Sequence, residues 1–226
     1  MLAACAGADC PTVVGASATE EISALWLARQ IYELGGVEFG SFTLGRSTVE
    51  SPVYVNPKRL IAVPSALRAA AELIQNHAQL AVARRHHQAQ PFELVAGVPL
   101  GGLHLATAYS LASDIPLIYV RPDSDAMHIE GRFLPGQIVL LVDDLITTGG
   151  SVIQTAAALR EHGLNVADVI VMIDRDQGAG RRLAQHGLHL ISILTLRAML
   201  NYLMSEQWIG EADYRRSLDY IRAHQR

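Results

Sequence analysis

From Glu93 onward the chain alternates short, unbroken apolar runs with stretches of helical periodicity, and no other feature narrows its fold so far. The runs are ELVAGV (93–98), IPLIYV (115–120), QIVLLV (137–142), VADVIVMI (166–173) and LHLISIL (188–194). Helical patterns cover about 102–112, 151–162 and 180–186, and two more helical stretches lead to the C-terminus. A strand with one wet face alternates polar and apolar residues, whereas a continuous apolar run is buried on both faces. Five such runs joined by helices predict an α/β fold, a doubly wound parallel sheet whose ligands gather at the carboxyl ends of the strands.

The first 92 residues read differently. Ser17-Ala-Thr-Glu20 is a capping box, and Ile22, Leu25, Leu27, Ile31 and Leu34 follow at helical spacing until Gly35-Gly36 stops them. VEFGSFTLGRSTVESPVYVN (37–56) is β-rich but broken by Gly and Pro, which predicts short strands and loops. A second helix is expected over about 65–85, because Leu67, Ala70, Ala71, Ile74 and Leu80 keep its period. HHQAQP (86–91) reads as a surface connection. The expected organisation is a loose tail over 1–16 and one domain over 17–226, with a small hood (17–60) on a core that carries the C-terminal helices (61–226).

Bulk properties exclude several classes. Half of the 226 residues are hydrophobic and 18% are charged, enough apolar surface for one large core. Eighteen basic residues against 22 acidic ones leave a net charge of −4, which argues against a nucleic-acid surface. The pairs Arg84-Arg85, Arg181-Arg182 and Arg215-Arg216 read as solvated helix faces. Cys5 and Cys10 are too few for a disulfide framework and suit a reducing compartment. Leu2-Ala3-Ala4-Cys5 imitates a lipoprotein cleavage box, yet the basic segment and apolar run of an export signal are missing ahead of it. No apolar run approaches the ~20 residues that span a bilayer. The expectation is a soluble, cytoplasmic protein with no membrane partner.

Gln137 to Val152, QIVLLVDDLITTGGSV, carries the chemistry. Asp143 and Asp144 close a central strand, and Thr147, Thr148, Gly149, Gly150 and Ser151 turn into the next helix. Glycines admit an anion close to backbone N–H groups, hydroxyls add donors, and the helix N-terminus adds partial positive charge. The turn is thus a phosphate cradle. The aspartates beside it would repel that phosphate unless they face hydroxyls, directly or through a divalent cation, so a sugar phosphate fits both features. Turn and cap residues account for one aspartate but not for two followed by ITTGGS. The chain has no GxxxxGK[ST] loop, and paired aspartates of a receiver domain would close an earlier strand.

LVDDLITTGGS resembles the phosphoribosyl-pyrophosphate signature of type I phosphoribosyltransferases, and other segments are similar to the orotate phosphoribosyltransferases. These are FGSFTL (39–44), ESPVYVN (50–56), AGVPLGGLHLAT (96–107), IDRDQGAG (173–180) and LHLISILTLRAML (188–200). The resemblance spans nearly the whole chain from about Glu20 to Gln225. It implies that Asp143 and Asp144 hold the ribose 2′- and 3′-hydroxyls, and that Leu145 and Ile146 continue the signature into the 5′-phosphate loop Thr147–Ser151. By the same likeness Val98, Pro99, Leu100, Gly101 and Gly102 bind diphosphate, and the glycine-rich turn after a strand supports that independently. Arg175 would meet the orotate carboxylate, with Thr147, Tyr54 and Val55 around the pyrimidine; a guanidinium offers the paired donors a carboxylate needs. The implied reaction displaces diphosphate from ribose C1 by a pyrimidine nitrogen, with Mg²⁺ held mainly by the substrate, in a homodimer.

Two departures stand out. The family carries a lysine straight after FTL, where this chain has Gly45 and Arg46. The family's mobile loop crosses to the neighbouring subunit and brings an Arg-Lys pair, a further lysine and a histidine over the diphosphate. Here it reads RPDSDAMHIEG (121–131), shorter, with Arg121 and His128 matched, Pro122 in a lysine position, and Asp123 and Asp125 added. Arg121 is the expected catalytic partner of the aspartates, and Arg46 and His128 are candidate charge substitutes. Each lost stabiliser of transition-state charge costs ~10²–10³ in rate. The alternatives are therefore an orotate phosphoribosyltransferase, a relative taking another base, or a weak or inactive protein that binds phosphoribosyl pyrophosphate or a nucleotide as a sensor.

Overall fold

The computed structural model describes residues 23–44, 48–83, 89–121 and 128–225, with only the backbone of 44, 48 and 49. The capping box at Ser17, the cysteines, Arg46, Arg84-Arg85 and the loop over 122–127 lie outside them.

Six strands form the main sheet: β3 (Leu94–Gly97), β4 (Leu117–Val120), β5 (Ile129–Glu130), β6 (Ile138–Ile146), β7 (Asn165–Asp174) and β8 (His189–Thr195). Their order is β5-β4-β3-β6-β7-β8, which makes β6 central. All neighbours run parallel except β5, which pairs antiparallel with β4 through Tyr119–Glu130 and Val120–Ile129. That short edge strand was not anticipated, because two residues are too few to show a period. Mixed sheets commonly carry such an antiparallel edge.

The continuous apolar runs are explained by two separate cores. Leu140 and Val142 of β6 and Ile170 and Met172 of β7 pack into one cluster with α2 (Pro64–Ala83) and α3 (Gly101–Ser113). Their neighbours Val139, Leu141, Val169 and Val171 pack into the other, against α4 (Gly150–Glu161) and α5 (Ala179–Gln185). Alternate residues of a strand face opposite ways, so a sheet covered on both faces needs apolar residues at every position. In α2 the buried face is mostly alanine (Ala66, Ala69, Ala70, Ala71, Ala78 and Ala81), with Leu73 and Ile74. Leu80, which the helical spacing assigned to that face, is 56% exposed instead.

The hood comprises α1 (Ala24–Glu33), an antiparallel hairpin of β1 (Val37–Leu44) and β2 (Thr48–Val55), and a 3-10 turn over Pro57–Ala62. Ser23 caps α1 by accepting the Trp26 N–H at 3.2 Å; the described helix therefore starts after Ser23. Two C-terminal helices, α6 (Leu196–Ser205) and α7 (Glu211–His224), return to the hood. The Tyr32 hydroxyl donates to the Trp208 carbonyl at 2.6 Å while the two rings stack at 5.2 Å.

Candidate active site

The central strand does not stop before the aspartates. β6 runs on through Asp143 and Asp144 to Ile146, pairing Asp143 with Val171 and Ile146 with Asp174 of β7. Both residues are consequently buried, at 7% and 6% exposure. Asp143 Oδ1 accepts the Asp144 N–H at 2.9 Å, and Asp144 Oδ1 accepts the Leu145 N–H at 3.0 Å. Burial, and then the charge of Asp144, pushes the Asp143 carboxyl well above its ordinary range. Adjacent buried acids repel, and the site carries a cation in response: Lys58 Nζ lies 2.9 Å from Asp144 Oδ2. Burial alone would lower the Lys58 ammonium, but its bond to Asp144 and the surrounding negative charge outweigh that and raise it.

Lys58 was not singled out from sequence. It projects from the 3-10 turn of the hood, where the Asn56 side chain accepts the Lys58 N–H at 3.2 Å and Pro57 occupies the first turn. Asn-Pro after an apolar strand is a legible turn signal, yet nothing local says which carboxylate the lysine will reach.

The loop after β3 comes to the same place by close packing. The Val98 N–H donates to the Val142 carbonyl at 2.9 Å, and a Cβ on Gly102 would lie 2.1 Å from that carbonyl oxygen. A Cβ on Gly101 would lie 2.3 Å from Asp144 Oδ1. Backbone thus demands glycine at 102, while at 101 any Cβ would have to displace the Asp144 carboxylate. Pro99 is half-buried and Leu100 is 66% exposed at the tip.

Past Ile146 the chain turns through half-buried Thr147 and Thr148 to Gly149, whose φ of +79° suits glycine. Helix α4 begins at Gly150, with no side chain capping its N-terminus and open space around Gly150; Ser151 is exposed. Backbone amides there are available to an anion. The aspartates, the 98–102 loop, the 147–151 turn and Lys58 thus converge at the carboxyl ends of β3 and β6.

Other candidates lie around this centre. Arg175 follows β7 and is 1% exposed; its guanidinium donates to Ser51 Oγ at 2.8 Å and the Val53 carbonyl at 3.2 Å, which ties the hairpin to the core. It is no surface ion pair with Asp174 or Asp176. Burial pushes its pKa down, and its Nε has no hydrogen-bond partner among the described residues. Tyr54 is half-buried beside Phe42, with ring centres 5.6 Å apart, and Val55 is packed into the core. The Arg121 N–H donates to the His128 carbonyl at 2.9 Å, closing the base of the 122–127 segment, and its Nη1 is 3.5 Å from Glu130 Oε1. His128 is exposed.

Residues 62–186 match the family model of the phosphoribosyl transferase domain. Over 173 residues the chain is 37% identical to the orotate phosphoribosyltransferase of Pyrococcus abyssi, covering 74% of this chain and 90% of that one. The chain belongs to the orotate phosphoribosyltransferase family. Among solved structures, the orotate phosphoribosyltransferase of Aeropyrum pernix is 35% identical with a TM-score of 0.68, covering 79% of this chain and 99% of that one. The Mycobacterium tuberculosis H37Rv orotate phosphoribosyltransferase in complex with 5-phospho-alpha-D-ribosyl 1-diphosphate is 27% identical with a TM-score of 0.62, covering 78% and 98%. In this member of the family the hood is tied to Asp144 by Lys58 and to Arg175, at the end of β7, by Ser51 and Val53.

Proposed function

We propose that this chain transfers the phosphoribosyl group of phosphoribosyl pyrophosphate to orotate. The bond from ribose C1 to diphosphate breaks, orotate N1 bonds to C1 with loss of its proton, and orotidine 5′-phosphate and diphosphate leave, a step of pyrimidine biosynthesis. One observation carries the reading: two buried aspartates stand between an amide-lined helix N-terminus and a glycine loop that touches one of them. Such a site grips a diol, a terminal phosphate and a diphosphate at once.

The residues divide the substrate among them. Asp143 and Asp144 take the ribose hydroxyls, Thr147–Ser151 the 5′-phosphate, and Val98–Gly102 the diphosphate through backbone amides. Arg175 is a buried guanidinium with no ion pair among the described residues, and we assign the orotate carboxylate to it. Tyr54 then flanks the pyrimidine, with Val55 setting the floor from within the core. Positioning and exclusion of water make up the protein's share, since no nucleophile is required. The described residues hold no cluster of three metal-ligating side chains. The neighbouring Asp143 and Asp144 carboxylates would suit Mg²⁺, which binds through substrate phosphates and one or two carboxylates. When bound, Mg²⁺ neutralises charge on the departing diphosphate. We place the protein in the cytoplasm as a homodimer; no helix among the described residues is long and apolar enough to cross a membrane.

The short, lysine-free 121–131 segment favours a second reading, a domain that binds phosphoribosyl pyrophosphate without turning it over. Incubation with phosphoribosyl pyrophosphate, Mg²⁺ and orotate, following orotate absorbance and diphosphate release, separates the two. Loss of absorbance matched by diphosphate supports the transferase. Saturable binding without turnover supports the sensor, and turnover of uracil or adenine but not orotate refutes the assigned base.

A further inference from the structure

Lys58 is the only lysine in the chain; every other Lys/Arg cation is arginine. It stands in the hood, yet its ammonium reaches the buried Asp143–Asp144 pair. We infer that Lys58 is a diphosphate-binding cation of this site, resting on Asp144 in the free chain and moving to the diphosphate when substrate arrives. The inference rests on the phosphoribosyl-transfer reading above and adds to it the source of positive charge.

Three observations lead there. Lys58 Nζ is 2.9 Å from Asp144 Oδ2, and a Cβ on Gly101 would be 2.5 Å from that same oxygen. The ammonium and the 98–102 loop therefore both abut the Asp144 carboxylate at the same oxygen. Next, the Lys58 side chain is 52% exposed where that of Asp144 is 9%, so the ammonium sits at the mouth and an incoming anion meets it first. Last, the loop itself offers no charge, being Val98, Pro99, Leu100, Gly101 and Gly102.

Residue type and anchoring fit a transfer between partners. The root of Lys58 is fixed by the Asn56 cap and the Pro57 turn, while its four-carbon stem is flexible. An ammonium is a compact point charge with rotatable donors, whereas a guanidinium is a rigid fork suited to one partner geometry. Once the ribose hydroxyls donate to Asp144, that carboxylate no longer needs the ammonium, and the diphosphate beside it does.

The test uses the full-length protein. Calorimetry compares wild type, Lys58→Met and Lys58→Arg for Mg-diphosphate and, separately, for ribose 5-phosphate. Lys58→Met should weaken diphosphate binding about 10- to 100-fold, the worth of one charge-assisted hydrogen bond. Ribose 5-phosphate affinity should change less than about threefold, and Lys58→Arg should recover part of the loss. Equal weakening of both ligands, or of neither, overturns the proposal. Should Lys58→Met fail to fold, wild type grown with ¹³C-lysine still decides, because it carries a single lysine Cε signal. Diphosphate must shift that signal, and a signal unmoved at saturation overturns the proposal while leaving the transferase reading intact. Wild type that binds neither ligand refutes that reading and this one together.

Discussion

Gly101→Ala tests whether the diphosphate loop lies against Asp144. The new Cβ would sit 2.3 Å from Asp144 Oδ1, 2.4 Å from Cγ and 2.5 Å from Oδ2, whereas ordinary contact begins at 3.4 Å. The carboxylate must retreat by about 1 Å. That movement stretches the 3.0 Å bond from the Leu145 N–H and the 2.9 Å contact with Lys58. The first is a hydrogen bond to a buried charge, worth about 1.5–3 kcal/mol; the second involves a half-exposed lysine and counts for about 0–1 kcal/mol. With some relief by relaxation, destabilisation of about 1–4 kcal/mol follows. Ribose 5-phosphate affinity should drop by about 10- to 100-fold, because Asp144 no longer meets the hydroxyl. Urea unfolding and calorimetric titration measure the two effects. Gly102→Ala serves as the harsher comparison, since its Cβ would meet the Val142 carbonyl at 2.1 Å and backbone has no rotamer to adopt. Gly150→Ala serves as the mild one in stability, with nothing within 4 Å and a helical position. A Gly101→Ala protein with wild-type stability and wild-type ribose 5-phosphate affinity would show that the loop does not touch the carboxylate.

Asp143→Asn should raise thermal stability of the ligand-free protein while removing ribose 5-phosphate binding. The folded Asp143 carboxyl titrates well above its ordinary 3.8. The folded state therefore binds a proton that the unfolded state has released, and stability falls as pH rises from about 4 toward the folded value. Melting curves across that window should show wild type and variant converging at its acid end and separating above it; parallel curves would refute the buried-acid account. Arg175→Met should raise the KM for orotate about 10- to 100-fold, with little change in affinity for phosphoribosyl pyrophosphate. Its effect on stability is small, because the lost bonds to Ser51 and Val53 are offset by removing a buried cation with no ion pair among the described residues. Equal losses for both substrates would assign Arg175 to holding the hood alone.

Legibility from sequence followed the range of the forces involved. Strands β3, β6, β7 and β8 were readable because burial on both faces leaves an uninterrupted apolar run, a signal within the chain itself. Strand β5 was not, since its two residues pair only because β4 lies beside them. The end of β6 was misplaced for a related reason. Aspartates in sequence resemble a strand terminus, but the ladder to Val171 and Asp174 carries the strand past them, and burial of the acids follows from that pairing. The glycines of the 98–102 loop were legible as a turn, whereas the close approach to Val142 and Asp144 that demands them is a tertiary fact. Lys58 was legible only as one charge in a hood segment. Its being the sole lysine of the chain is a sequence-level signal, but only the packing of the 3-10 turn gives that signal a target.

The acid pair explains why the hood exists in this form. Two neighbouring acids at 7% and 6% exposure cost stability in the free chain, and the apolar contacts around the sheet cannot relieve that cost. What relieves it here is local and removable: main-chain donors at Asp144 and Leu145, and one lysine from outside the sheet. The main-chain donors belong to β6 and stay when a ligand enters. Lys58 belongs to the hood, so the same contact that steadies Asp144 also draws the hood onto the site. A ligand whose hydroxyls take over Asp144 therefore loosens one tie between hood and core while Arg175, bonded to Ser51 and Val53, keeps the other. Substrate entry and hood position are coupled through these two cations, one exposed and one buried, and the exposed one yields first because its solvent-screened pair is the weaker contact.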